Sequence, residues 1–235
     1  MADIVVAHGA WSAGWAWKKM RPLMAALGHT LWTPTYTGLG ERAHLANPKI
    51  DLSAHIEDVV QVLEFEDLTE VVLIGHSYGG MVATGVADRA AARLARLIYL
   101  DAFVPRDGQS LAALQGLGEA GVAAWRAGAL DGWRVLPRDM PPDTPDPDRD
   151  WATPRRMLQP IETLLTPVRL GRGETSLPRS YIYCLRADPS DGFRRFYDRA
   201  RSEPGWTAHE IDASHNPHIT APQVLAQMIE GIVSA

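Results

Sequence analysis

The stretch Val71-Val72-Leu73-Ile74-Gly75-His76-Ser77-Tyr78-Gly79-Gly80-Met81-Val82-Ala83-Thr84 decides how this chain is read. Its first four residues form an apolar, β-branched run, the pattern of a buried strand. After Gly80 the run through residue 87 reads as a buried helix. Between them lies a Gly-x-Ser-x-Gly turn. The chain must bend there sharply enough to push one side chain out at the top of a sheet. Side chains two residues to either side would collide, so Gly75 and Gly79 stand at those places, and Gly80 lets the helix pack closely. The residue left exposed is Ser77. Its hydroxyl needs a base beside it to become a nucleophile.

Working outward, the chain has 235 residues, which suits one α/β domain or a core with a small insertion. Its apolar share of 46% supports a sizeable core, and no segment nears the roughly 20 apolar residues of a membrane span. The start Met1-Ala2-Asp3-Ile4-Val5-Val6 carries neither the basic region nor the apolar stretch of a signal peptide, so a cytoplasmic location is expected. A net charge of −5 without a lysine-rich run argues against nucleic acid as a partner. The single cysteine, Cys184, excludes an internal disulfide. It lies in the strand-like run Tyr181-Ile182-Tyr183-Cys184-Leu185 and reads as a small buried hydrophobe rather than a thiol nucleophile. Eight tryptophans are many for this length. Several are expected to wall a pocket.

Strands and helices alternate, which predicts a mostly parallel sheet of about six strands covered by helices on both faces. Strands are expected at 4–7, 29–33, 71–74, 94–100, 179–185 and 206–211. Helices are expected at 15–27, 52–63 (capped by Ser53), 78–91, 193–201 and 222–233. From 104 to 175 the pattern degrades. This region holds Trp125, Trp133, Trp151 and the run Pro137-Arg138-Asp139-Met140-Pro141-Pro142-Asp143-Thr144-Pro145, which cannot be a core element. It reads as a helical or irregular lid, largely apolar toward the site, inserted into a core made of 1–103 and 176–235.

In folds that carry such a serine turn, the catalytic partners follow in the order serine, acid, histidine. Three histidines lie late enough: His209, His215 and His218. His209 falls inside an expected strand, where a packed ring is the plain reading. His215 lies in Asp212-Ala213-Ser214-His215-Asn216-Pro217, a loop between the last strand and the last helix, and is the candidate base. A metal pair of His215 and His218 lacks a third ligand in a matching pattern. The acid is expected at Asp188, in the turn Arg186-Ala187-Asp188-Pro189, with Asp191 capping the next helix. Asp101, at the end of the strand Leu97-Ile98-Tyr99-Leu100, is its rival. The oxyanion hole is expected from the backbone N–H groups of Tyr78 and Ala10, the latter in the loop His8-Gly9-Ala10-Trp11. His8 precedes the serine and is read as shaping that loop.

These stretches, together with Gly14-Trp15, Thr37-Gly38-Leu39-Gly40-Glu41-Arg42-Ala43-His44-Leu45 and Tyr99-Leu100-Asp101-Ala102-Phe103-Val104-Pro105, resemble one branch of the α/β-hydrolases. That branch holds plant methylesterases, hydroxynitrile lyases and bacterial carboxylesterases such as pyrethroid hydrolases. The resemblance spans nearly the whole chain and weakens in the insertion. It implies an α/β-hydrolase fold and a serine carboxylesterase acting on a small to medium apolar ester through an acyl-enzyme, with no cofactor or metal. A small-molecule ester is the partner implied, without nucleic acid or membrane, and a homodimer is left open. Lyase-like chemistry on the same residues is the near rival, and a receptor using the hydrolase pocket is the other. The lyases carry a lysine after the catalytic histidine and a threonine after the first-loop histidine. Here Asn216 and Gly9 stand at those positions, which favours the esterase. The family acid falls three residues after the position of Cys184, where this chain has Ala187. Asp188 is one residue late.

Overall fold

The computed structural model describes residues 1–186 and 192–235. Its centre is a six-stranded sheet in the order β2-β1-β3-β4-β7-β8. The strands are β1 (Asp3–Ala7), β2 (Thr30–Trp32), β3 (Val71–His76), β4 (Leu94–Leu100), β7 (Arg179–Cys184) and β8 (Trp206–Ile211). Every neighbouring pair in this sheet is parallel. A separate antiparallel pair joins β5 (Arg134–Val135) to β6 (Gln159–Pro160).

The two faces of the sheet follow from the two-residue period of strands. Val5, Val71, Leu73, Leu97, Tyr99 and Tyr181 point to one face. There they meet α2 (Leu52–Phe65), α3 (Gly79–Ala90) and α8 (Arg194–Ser202). Ile4, Val72, Ile74, Ile98, Ile182 and Ile211 point to the other. That face is covered by α1 (Met20–Ala26) and α10 (Pro222–Val233). Both faces are buried, so the strands read as continuous apolar runs rather than alternating ones.

Two local expectations are corrected. The helix expected from 15 to 27 is a 3-10 turn at Gly14–Trp17 followed by α1. Pro22 lacks an N–H and fits only within the first turn of a helix, so α1 starts afresh at Met20. Helix α2 is capped by Asp51, not Ser53. The Asp51 carboxylate accepts from the Ala54 N–H at 3.0 Å and satisfies one of the donors a helix start leaves open.

Between β4 and β7 the chain forms α4 (Leu111–Leu114), α5 (Glu119–Gly128), β5, α6 (Asp146–Ala152), β6 and α7 (Glu162–Leu165). It then returns to pair β7 beside β4. The short helix α9 (Pro217–Thr220) precedes α10.

Candidate active site

The serine turn sits where the sequence places it. β3 ends at His76, α3 begins at Gly79, and Ser77 between them has φ 55°. A non-glycine residue at that angle is strained and needs fixing by its surroundings. The fixing is visible: the Ser77 N–H donates to the Leu100 carbonyl at 3.2 Å, and the Ser77 carbonyl accepts from Phe103 N–H at 3.1 Å. Gly79 is required by close approach, because a Cβ there would lie 1.9 Å from the Ala7 carbonyl oxygen of β1.

His215 follows β8, and its imidazole opens on the cavity. Its Nδ1 meets Asp101 Oδ2 at 2.7 Å. The Asp101 side chain is 4% exposed against 30% for His215, so the acid is buried behind the ring it orients. Asp101 directly follows β4, with φ 42°. Its N–H donates to the Ile182 carbonyl at 2.8 Å, and its Oδ1 accepts from the Cys184 N–H at 3.3 Å. Phe193 stacks on the His215 ring at 5.0 Å between centroids. The expected acid Asp188, with its neighbour Asp191, lies outside the described residues. The place at Nδ1 that the sequence reading gave to Asp188 is held by Asp101. The reason is local: the two bonds from Asp101 to β7, at the Ile182 carbonyl and the Cys184 N–H, hold its side chain so that the free Oδ2 meets the ring.

His76 had no role assigned from sequence. Its Nε2 donates to the His215 carbonyl at 2.8 Å, tying the His215 loop to the serine turn. Burial, then the neighbouring His218 and His215, hold the His76 pKa well below the usual histidine value. The ring is therefore neutral, with its proton on Nε2. His218 is buried against Trp17, stacked at 4.6 Å, and its pKa is lowered to about 3 by burial. His209 lies on the outer strand β8 beside Thr207 and does not border the cavity.

The first loop is held from two sides. On the core side, His8 Nε2 accepts from the Tyr36 N–H at 3.2 Å, and the Tyr36 hydroxyl donates to the His8 carbonyl at 3.1 Å. Tyr36 stacks between His8 and His55, at 3.8 and 4.6 Å. His55 donates from Nε2 to the Thr37 carbonyl at 3.2 Å and accepts the Tyr78 hydroxyl at Nδ1 at 2.9 Å. One buried stack thus joins the His8 loop to Tyr78. Burial lowers the His8 pKa to about 4 and the His55 pKa to about 3, so both rings are neutral. On the insertion side, Trp11 has φ 58°. Its N–H donates to Gln159 Oε1 at 3.0 Å, its indole N–H to the Val135 carbonyl at 3.1 Å, and its carbonyl accepts from Met157 N–H at 3.1 Å. Gln159 is fully buried. No sequence period marks it, because it lies in the irregular region.

Ser77, His215, Asp101, Ala10 and Tyr78 all line one cavity of about 1170 Å³. Leu111, Leu114, Trp125, Leu164 and Ile219 give it apolar walls. Of the three tryptophans expected near the site, Trp125 lines it. Trp151 packs edge-on against the lining residue Trp15 at 5.2 Å. Charged side chains accompany this largely apolar lining. The wall also carries Arg138, Asp139, Asp143, Arg156, Arg186 and Arg195. The Pro-rich run and the turns of the insertion bring Arg138, Asp139, Asp143 and Arg156 to the rim, while Arg186 comes from the chain after β7 and Arg195 from α8.

Residues 4–228 match the alpha/beta hydrolase family. The chain belongs to this family. It is 38% identical to a carbendazim hydrolyzing esterase of Nocardioides sp., over 99% of this chain and 100% of that one. It is 30% identical to methylesterase 2 of Arabidopsis thaliana, over 43% of this chain and 39% of that one. An extracellular alpha/beta-hydrolase from a Paenibacillus species superposes with a TM-score of 0.84 at 22% identity, covering 97% of this chain and 98% of that one, a likeness of fold. The chain is a carboxylic ester hydrolase. Among the described residues no helix is long and apolar enough to cross a membrane.

Proposed function

We propose that this chain hydrolyses a small to medium carboxylic ester, apolar around its reacting carbonyl, through an acyl-enzyme. Ser77 attacks the carbonyl carbon. His215 takes the serine proton and returns it to the leaving alcohol. Asp101 holds the imidazole in the tautomer with its proton on Nδ1 and stabilises the imidazolium that forms. The backbone N–H groups of Ala10 and Tyr78 receive the oxyanion, where preorganised donors act most strongly. Water, activated by His215, then releases the acid. Residues 104–175 serve as the lid that shapes the alcohol and acyl sites.

The observation that carries this reading is the Asp101–His215 bond beside a strained Ser77, all on one cavity. A serine turn alone would serve a receptor equally well. An oriented base beside it has a use in turnover. The test is hydrolysis of p-nitrophenyl butyrate by the wild type and by Ser77→Ala. Wild-type turnover that falls by several orders of magnitude in the variant supports the reading. Equal rates in the two proteins overturn it. Carbendazim, which the Nocardioides relative hydrolyses, is a second substrate to assay.

A further inference from the structure

The charged rim of the cavity was not expected, and its charges are unevenly paired. Arg186 is engaged: its Nε and Nη2 meet the two oxygens of Asp212 at 2.8 and 3.1 Å, and Asp143 lies at 3.9 Å. Arg138, Arg156 and Arg195 have no carboxylate within 4 Å among the described residues. Each donates instead to a neutral oxygen. Arg138 reaches Gln115 Oε1 at 3.4 Å, Arg156 the Arg138 carbonyl, and Arg195 the Leu114 carbonyl. Asp101 faces the cavity too, but His215 occupies it. Among the described residues the rim therefore holds more cation than anion, in a chain whose net charge is −5.

Arg156 stands out among these cations. Its guanidinium lies over the Trp11 ring, 6.0 Å from the centroid. The next residue, Met157, donates its N–H to the Trp11 carbonyl at 3.1 Å. Trp11 directly follows Ala10, so the cation is fixed relative to the loop beside Ser77. Arg156 borders both the main cavity and an adjoining one of about 400 Å³. Burial pushes its pKa down, and Asp139, beyond ion-pair distance, offsets part of that. A half-buried guanidinium with unused donors and, among the described residues, no carboxylate partner is an arrangement completed by an anion, because its planar fork matches a carboxylate.

We propose that the substrate is an ester carrying a free carboxylate, and that Arg156 binds this carboxylate while the apolar walls take the rest of the molecule. The inference rests on the ester-hydrolase reading above and names the substrate class of that site. Arg156 then sets specificity and does not enter the chemistry. Its loss weakens binding of the acidic ester and leaves the reaction of a neutral ester in place.

The test uses two matched pairs of esters. Mono-p-nitrophenyl adipate and p-nitrophenyl hexanoate differ by a carboxylate on the acyl side. 3-Acetoxybenzoate and phenyl acetate differ by one on the alcohol side. Arg156→Gln is expected to raise KM for the acidic member of one pair by about ten- to a hundredfold, the range of a charge-assisted hydrogen bond. The neutral member should stay within about twofold, a uniform-binding effect confined to the acid. Arg156→Lys should recover part of the loss, and added salt should raise the wild-type KM for the acid alone. If Arg156→Gln affects both members of each pair equally, or neither pair responds, the proposal is overturned. If the wild type turns over none of the neutral esters, the ester-hydrolase reading falls first, and the two failures are told apart.

Discussion

Asp101 and His215, 114 residues apart in sequence, meet at 2.7 Å between Oδ2 and Nδ1. The carboxylate comes from the end of β4, the strand beside the one that presents Ser77, and not from the end of β7. Two consequences follow for the acid. Asp101→Asn keeps the shape of the site but loses the imidazole tautomer. It should lower kcat by about ten-thousand-fold, the size found when a triad acid is neutralised. Asp188→Asn should retain most of the wild-type activity. A steady-state comparison of the two variants checks this, and the reverse ranking would return the acid to Asp188.

The neutral histidines make stability fall with acidity. His8, His55 and His218 have pKa values of about 4, 3 and 3 in the folded protein, against an ordinary value near 6.5. The unfolded chain therefore binds more protons than the folded one below pH 6.5. The contribution to stability is complete above that pH and is lost as pH falls toward 4. Each such group steepens the loss by about 1.4 kcal/mol per pH unit in that window. Urea unfolding from pH 7 to pH 4 should show this decline. A flat profile would mean that these rings are protonated in the fold.

His55 bridges the Thr37 carbonyl and the Tyr78 hydroxyl. His55→Leu removes the donor to the Thr37 carbonyl and the acceptor of the Tyr78 hydroxyl, and should cost about 1–3 kcal/mol of stability. Because Tyr78 follows Ser77, the proposed nucleophile, kcat should drop with little change in KM. His55→Gln, whose amide can both donate and accept, should restore much of both. Loss of stability without loss of kcat would show that the stack does not hold the Tyr78 backbone in place.

Gly9 lies against the serine turn, where a Cβ would come 2.9 Å from His76 Nδ1 and 3.3 Å from Ser77 Cβ. Gly9→Ala should reduce kcat by about tenfold or more, since small displacements near the reacting atoms are costly. Asn216 supplies no cation next to His215, so mandelonitrile should release no cyanide above the uncatalysed rate. Cyanide release by the wild type would restore the lyase alternative.

The serine turn, the strands around it and the His215 loop were legible because they depend on local chemistry. Glycines stand where backbones touch, and apolar runs mark strands buried on both faces. The acid was harder, because Asp101 and Asp188 both follow runs that read as strands, and the Asp101–His215 bond joins residues far apart in sequence that no local pattern pairs. The rim charges and Gln159 were not legible at all. Gln159, Arg138, Asp139, Asp143 and Arg156 lie in a segment with neither helical nor strand period, so nothing local says which of their side chains face the cavity. His76 was visible inside the serine turn itself. Its bond to the His215 carbonyl joins residues 139 apart, which no local pattern announces.

The central claim is that Ser77, activated by His215 and Asp101, forms the covalent intermediate. The most direct measurement is reaction with a fluorophosphonate followed by mass mapping of the modified peptide. One label is expected, on Ser77, absent in Ser77→Ala and formed far more slowly in Asp101→Asn. A label on any other residue, or full ester turnover by a protein that takes no label, would contradict it.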